Sequence, residues 1–145
     1  MSRKETKKYL NQLRTIQFNI DHKLMELYKF ETLATKTTVA LQGDRVQTSP
    51  SDKLSEMVVK ITALKTEIAA DYDRYILSHR HIIDQIEHLE NEEYKRILIL
   101  RYDECLPFDA IPERMSMSRR TVYRIHDKAL DAFESKYNDE IKSWH

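Results

Sequence analysis

The side chains best suited to chemistry are concentrated between Ser118 and Lys128. Arg119, Arg120, Arg124 and Lys128 offer cationic donors, Tyr123 a phenol, and Ser118 and Thr121 hydroxyls. Such a set is rich in hydrogen-bond donors and poor in carboxylates, which suits the phosphate oxygens and base edges of a nucleic acid. The spacing supplies a carrier for it. Ser118 is placed to cap a helix, and Val122, Ile125, Ala129, Leu130 and Phe133 then recur at helical intervals as one apolar stripe. Arg119, Arg120, Tyr123, Arg124 and Lys128 fall on the other side. A shorter helix is expected upstream in FDAIPERM (108–115), joined to the first by a turn at Ser116 and Met117. Two helices so joined, with the basic one second, have the layout of a helix-turn-helix.

Whole-chain charge gives no support to a nucleic-acid partner, because 24 basic residues balance 24 acidic ones over 145 residues. Local charge does separate. Five Arg or Lys face one acid between Arg114 and Lys128, whereas residues 89–113 hold seven acids and three bases. The basic stretch is enough to orient a small module on DNA and too small for tight binding by a single copy. Arg114 is a further candidate for a phosphate contact. Ser118, Thr121 and Lys128 are better placed to position the helix on the backbone than to read bases.

Other chemistries find little purchase. His79, His81 and His88 suggest metal ligation, yet residues two apart on a helix face apart and no cysteine or carboxylate completes a usual ligand spacing, so no metal site is expected. Glu90, Glu92 and Glu93 resemble an acid–base group but are accounted for by the positive end of a helix dipole. No nucleophile with a base and no glycine-rich phosphate loop is visible, so a non-enzymatic protein without cofactors is expected. Cys105 is the only cysteine, which suits a reducing compartment, and no apolar run approaches the length of a membrane span. A soluble cytoplasmic protein, with no membrane partner, is the expectation.

The elements that must position the basic helix are also helical. One glycine and three prolines leave few turn signals, so an all-α fold of long helices is expected. Ser2 and Glu5 form a capping-box pattern, after which Leu10, Leu13, Ile16, Ile20, Leu24, Leu27 and Tyr28 recur every three or four residues; Tyr9, Phe18, Met25, Phe30 and Leu33 widen the stripe. Residues 35–49 have loop character around Gly43 and Asp44. Ser49-Pro50 then signals a second helix from Pro50. Its stripe runs Leu54, Met57 or Val58, Ile61, Leu64, Ile68, Tyr72, Tyr75, His79, Ile82, Ile86 and Leu89. Unbroken to His88, that helix is about 58 Å long at ~1.5 Å per residue, too long to bury its stripe alone. An antiparallel hairpin over 1–88 that pairs with a second copy is expected, followed by a DNA-binding domain over 89–145 whose first helix is capped by Asn91.

The segment LENEEYKRILILRY (89–102) followed by FDAIPERMSMSRRTVYRIHDKAL (108–130) resembles region four of bacterial primary sigma factors. The resemblance rests on Leu100-Arg101-Tyr102, Ser118-Arg119 and the Val122, Ile125, Ala129, Leu130 pattern. Residues 1–88 do not resemble the rest of a sigma factor. A long N-terminal hairpin joined to one such module is instead similar to the late-transcription regulators of Gram-positive phages and mobile islands of the RinA and ArpU kind, which implies a DNA-binding transcription regulator, often an activator.

By position, the resemblance implies base contacts for Arg119, Arg120, Tyr123 and Arg124. Arginine there favours guanine, whose O6 and N7 accept a bidentate fork. Arg120 and Arg124 stand where the sigma pattern commonly has glutamate and glutamine, so a different, guanine-containing site is expected. Two further departures are Pro112, in place of a small alanine, and Ser116, in place of a glycine. Proline is tolerated only in a first turn, so the regular part of that helix is expected to start near Ala110 or Ile111. Two other readings stay open: an RNA polymerase-binding mimic of sigma without DNA specificity, and a DNA-packaging component of the small-terminase kind.

Overall fold

The computed structural model describes residues 3–43 and 48–144, with the side chains of residues 40–51 outside the description. All regular structure among the described residues is helical: α1 (Arg3–Leu10), α2 (Gln12–Gly43), α3 (Thr48–Glu87), α4 (Glu92–Leu98), α5 (Ile111–Met115) and α6 (Arg119–Ser143). A π-helical turn, Ile99–Asp103, follows α4. The proposed Ser2 cap and the Asp44 turn residue lie outside the described residues. The chain divides into two compact units, one made of residues 1–15 with 75–145, the other of 16–74.

In the second unit the seam is a heptad. On α2, Ile16 and Ile20 are buried and Lys23, Leu27, Phe30, Ala34 and Thr37 are half-buried; on α3, Leu64, Ile68 and Asp71 are buried, with Leu54, Met57 and Ile61 half-buried. These positions alternate by three and four residues, the pattern that lets two helices interlock. Lys23 Nζ lies 2.8 Å from Asp71 Oδ2, and Lys60 Nζ sits 5.3 Å from the centre of the Phe30 ring. The numbers therefore rise along one helix as they fall along the other.

Three sequence expectations change here. The seam passes through Asp71, only 8% exposed, and not through Tyr72, which is 42% exposed. A buried carboxylate was unreadable as a core position because its partner, Lys23, is 48 residues away. The loop expected over 35–49 is largely helix, since α2 continues to Gly43. Thr35, Thr37 and Thr38 donate their hydroxyls to the carbonyls of Glu31, Leu33 and Ala34, so their polar groups are satisfied without leaving the helix. Finally, α3 begins at Thr48 and not at Pro50.

The first unit holds the larger core. Tyr9, Leu10 and Leu13 meet Ile82, Ile86 and Leu89, then Ile97, Leu98, Leu100 and Tyr102, and finally the α5 and α6 residues Ile111, Met115, Val122, Ile125, Ala129, Leu130 and Phe133. The Asn11 break between α1 and α2 is slight, because Asn11 N donates to Lys7 O and Thr15 N to Asn11 O. At the other end α6 runs on to Ser143, well past Phe133, with non-helical backbone at Tyr137. That extension has packing reasons: Ile141 is buried, and Tyr137 donates its hydroxyl to Gln85 O at 3.0 Å.

Candidate nucleic-acid interface

The segment 89–128 is held in place from both ends. Asn91 caps α4, its side chain accepting from Glu93 N and Tyr94 N. Beyond the π-helical turn the backbone reverses at Cys105, whose φ of 57° is uncommon for a residue with a Cβ. Arg101 fixes this reversal twice over: its Nη1 donates to Leu106 O at 2.9 Å, and its guanidinium lies 4.4 Å from the centre of the Phe108 ring.

Pro112 falls in the first turn of α5, which starts at Ile111 as expected, so the missing N–H interrupts no helical bond. Ser116 then takes the left-handed conformation (φ 54°, ψ 47°), and Met117 N donates back to Pro112 O at 3.0 Å. This closes α5 in the manner of a Schellman turn and costs Ser116 about 1 kcal/mol relative to glycine. Ser118 restarts the helix: its Oγ accepts from Thr121 N at 3.2 Å and donates to Thr121 Oγ1 at 2.8 Å. The two hydroxyls proposed as phosphate contacts are thus bonded to each other.

Every residue of the expected α6 stripe, Val122, Ile125, Ala129, Leu130 and Phe133, is buried. The cationic residues divide into two kinds. Arg119 pairs with Asp109 at 2.7 Å and lies over the Tyr123 ring, and Tyr123 stacks on Phe108 with centroids 4.9 Å apart. Arg114 pairs with Glu104 at 3.3 Å. Arg120, Arg124 and Lys128 are exposed and have no ion-pair or hydrogen-bond partner among the described residues. They stand four residues apart, on one line of the helix. Like charges at that spacing repel by about 0.2–0.5 kcal/mol per pair, a cost that an external anion removes.

Behind this face lies His126, 2% exposed, whose Nε2 is hydrogen-bonded to the Tyr102 hydroxyl at 2.8 Å. Burial, helped by the charge of Lys7, holds its pKa down at about 4, against a weaker opposing pull from Asp127. Burial likewise pushes the Tyr102 phenol up. His126 is therefore neutral in the core beneath the basic face. Phe108 makes an edge contact with it at 4.8 Å, so Arg101, Phe108, Tyr123 and His126 form one packed group.

The three histidines that suggested metal ligation are engaged in pairs with acids and not with one another: His79 with Asp103 at 2.9 Å, His81 with Glu140 at 2.8 Å, and His88 with Asp84 at 3.7 Å. The supports that sequence reasoning passed over are Phe108, Asp109 and His126, which touch the basic face or underlie it, and Arg3. The Nε and Nη2 of Arg3 donate to the two carboxylate oxygens of Asp131, each at 2.9 Å, and its Nη1 lies 3.8 Å from Asp127. An aromatic residue following an arginine-bearing connector is a faint signal for Phe108. Arg3 gives none, being 128 residues from its partner.

No helix among the described residues is long and apolar enough to cross a membrane. No curated protein and no solved structure matches the chain significantly. The family described as "Protein of unknown function (DUF1492)" matches residues 35–134, a span that contains α3, α4, α5 and the whole of the basic face. With more than half of its length matched, the chain belongs to that family.

Proposed function

We propose that the protein is a sequence-specific DNA-binding transcription regulator in which α5, the Ser116 turn and α6 act as a helix-turn-helix. In this reading α6 enters the major groove by its N-terminal half, and the resemblance to sigma region four and to phage late-gene regulators of the RinA and ArpU kind gives its general manner of action. The observation that carries the reading is the line of partnerless cations, Arg120, Arg124 and Lys128, on a capped helix whose opposite face is fully buried. Arg120 and Arg124 are assigned to guanine edges, Lys128 to phosphate, and the buttressed Arg119 and Tyr123 to the rim of the groove. The α2–α3 pair is assigned as an antiparallel hairpin. Its outer face, where Phe18, Met25 and Tyr28 are each about 70% exposed, joins two copies so that two weak half-sites act together. The protein binds and does not catalyse.

The test is a binding-site selection followed by titration of the selected duplex. Arg120→Ala with Arg124→Ala is expected to reduce specific affinity by roughly 30-fold or more, taking at least ~1 kcal/mol per bidentate contact. Circular dichroism should be unchanged, since both residues are exposed. Specific binding that survives the double substitution refutes the assignment of α6. Co-purification with RNA polymerase without any salt-sensitive DNA binding would select the sigma mimic instead.

A further inference from the structure

Helix α1 carries four basic residues in eight, Arg3, Lys4, Lys7 and Lys8, against one acid, Glu5. Its inner face is anchored: Thr6, Tyr9 and Leu10 are buried, Tyr9 packs on Phe133 and Trp144, and Tyr9 donates its hydroxyl to Gln85 Oε1 at 2.7 Å. The cations on its other faces fall into two groups. Arg3 is committed to Asp131 and Asp127 of α6. Lys4, Lys7 and Lys8 are exposed and have no ion-pair partner among the described residues. Lys7 stands close enough to α6 for its charge to oppose protonation of His126.

The position of the two acids gives this arrangement its meaning. Taking 100° per residue, Asp131 falls between Arg120 and Arg124 around α6, and Asp127 falls beside Arg120. Both carboxylates therefore lie on the basic side of the helix, where they would repel a polyanion. Arg3 offsets one of these two charges, and α1, which packs against α6 through its buried face, carries three further exposed cations, of which Lys7 acts on α6 at His126.

We propose that α1 is a second DNA-contacting element: Lys4, Lys7 and Lys8 engage the phosphate backbone flanking the groove occupied by α6, and Arg3 makes the α6 surface more compatible with DNA by offsetting part of the charge of Asp127 and Asp131. The proposal rests on the DNA-binding reading above and adds to it a sequence-independent component supplied by the opposite end of the chain. A phosphate contact releases a condensed counterion, so each one steepens the dependence of log K on log salt by about 0.9.

The experiment uses the full chain and a mixed-sequence 30-base-pair duplex, titrated across a salt series by fluorescence anisotropy. Lys4→Gln, Lys7→Gln and Lys8→Gln together are expected to flatten the salt slope by about 2–3 and weaken binding at every sequence alike. The same three positions as arginine are expected to restore it. Arg3→Ala should weaken binding several-fold, and should have no effect once Asp127→Asn and Asp131→Asn are in place. An unchanged salt slope in the triple glutamine variant, with dependence on Arg120 and Arg124 retained, overturns the role of α1 and leaves the α6 reading standing. Wild-type protein with no salt-dependent binding to the duplex overturns both.

Discussion

Acidification should loosen the core beneath the basic face, and His126 sets the pH at which it does so. The imidazole is buried and hydrogen-bonded to the Tyr102 hydroxyl, with Lys7 and Arg101 disfavouring a positive charge there and Asp127 favouring it. Its folded pKa of about 4 lies below the 6.5 of the unfolded chain. Between those values the unfolded chain binds more protons, so the stabilising contribution is complete above about pH 6.5 and is lost as pH falls towards 4. At ~1.36 kcal/mol per pKa unit the whole effect is roughly 3 kcal/mol, of which roughly 2 kcal/mol is gone by about pH 5. Urea denaturation followed by circular dichroism at several pH values measures this. Carboxylates and the exposed histidines also titrate, so the informative quantity is the difference from His126→Gln, which keeps an acceptor for Tyr102 and cannot ionise. The wild type should lose roughly 2 kcal/mol more than the variant between about pH 7.5 and 5. Parallel curves for the two proteins would refute the argument, because they would mean that His126 is hydrated in the folded state.

Four variants test the turn and the seam. Ser116→Gly should stabilise by up to about 1 kcal/mol, since the left-handed backbone at φ 54° no longer crowds a Cβ, whereas Ser118→Ala should cost about 1 kcal/mol through loss of the α6 cap; urea midpoints that moved the same way would contradict the turn geometry. In the seam, Lys23→Met leaves Asp71 with only the 3.4 Å contact to Arg74, and a loss of about 1–3 kcal/mol is expected. Replacing both Lys23 and Asp71 by leucine should recover that loss. Recovery would come at the expense of register, detectable as mixed oligomers by analytical ultracentrifugation.

Much of this was legible in the sequence, and the pattern of success has a physical cause. Signals confined to one helical turn agree with the structure in four places, and fail at Ser49-Pro50, where α3 begins at Thr48. Asn91 caps α4, Ser118 caps α6, Pro112 delays the start of α5, and Ser116 takes the left-handed turn. Each depends on bonds between residues at most five apart. Periodicity also gave the apolar α6 stripe from Val122 to Phe133, because burial on a helix repeats with its geometry, but missed the buried His126 and Ile141. Failures arose wherever a polar residue acquired a distant partner. Asp71 looked like a surface residue until Lys23 covered it, and His126 was part of a motif string without a role until Tyr102 and Phe108 enclosed it. The threonines near residue 36 misled in the opposite direction: their loop character is real in isolation, and i−4 carbonyls absorbed it.

Arg3 belongs to the class that no local rule reaches, and it bears on why α6 carries acids at all. A helix meant only for DNA gains nothing from Asp127 and Asp131 on its basic side. A helix that must also hold α1 needs anionic anchors at its surface, and the bidentate pair between Arg3 and Asp131 supplies one with fixed geometry. The pair is exposed, so its direct contribution to stability is small. Its effect on charge does not depend on that strength. Residues 119–131 carry four bases and two acids, and Arg3 adds one further positive charge beside those two carboxylates. The anchor that positions α1 thus also raises the positive charge of the surface that α6 offers, which is why Arg3→Ala and the Asp127→Asn, Asp131→Asn pair are expected to move DNA affinity in opposite directions.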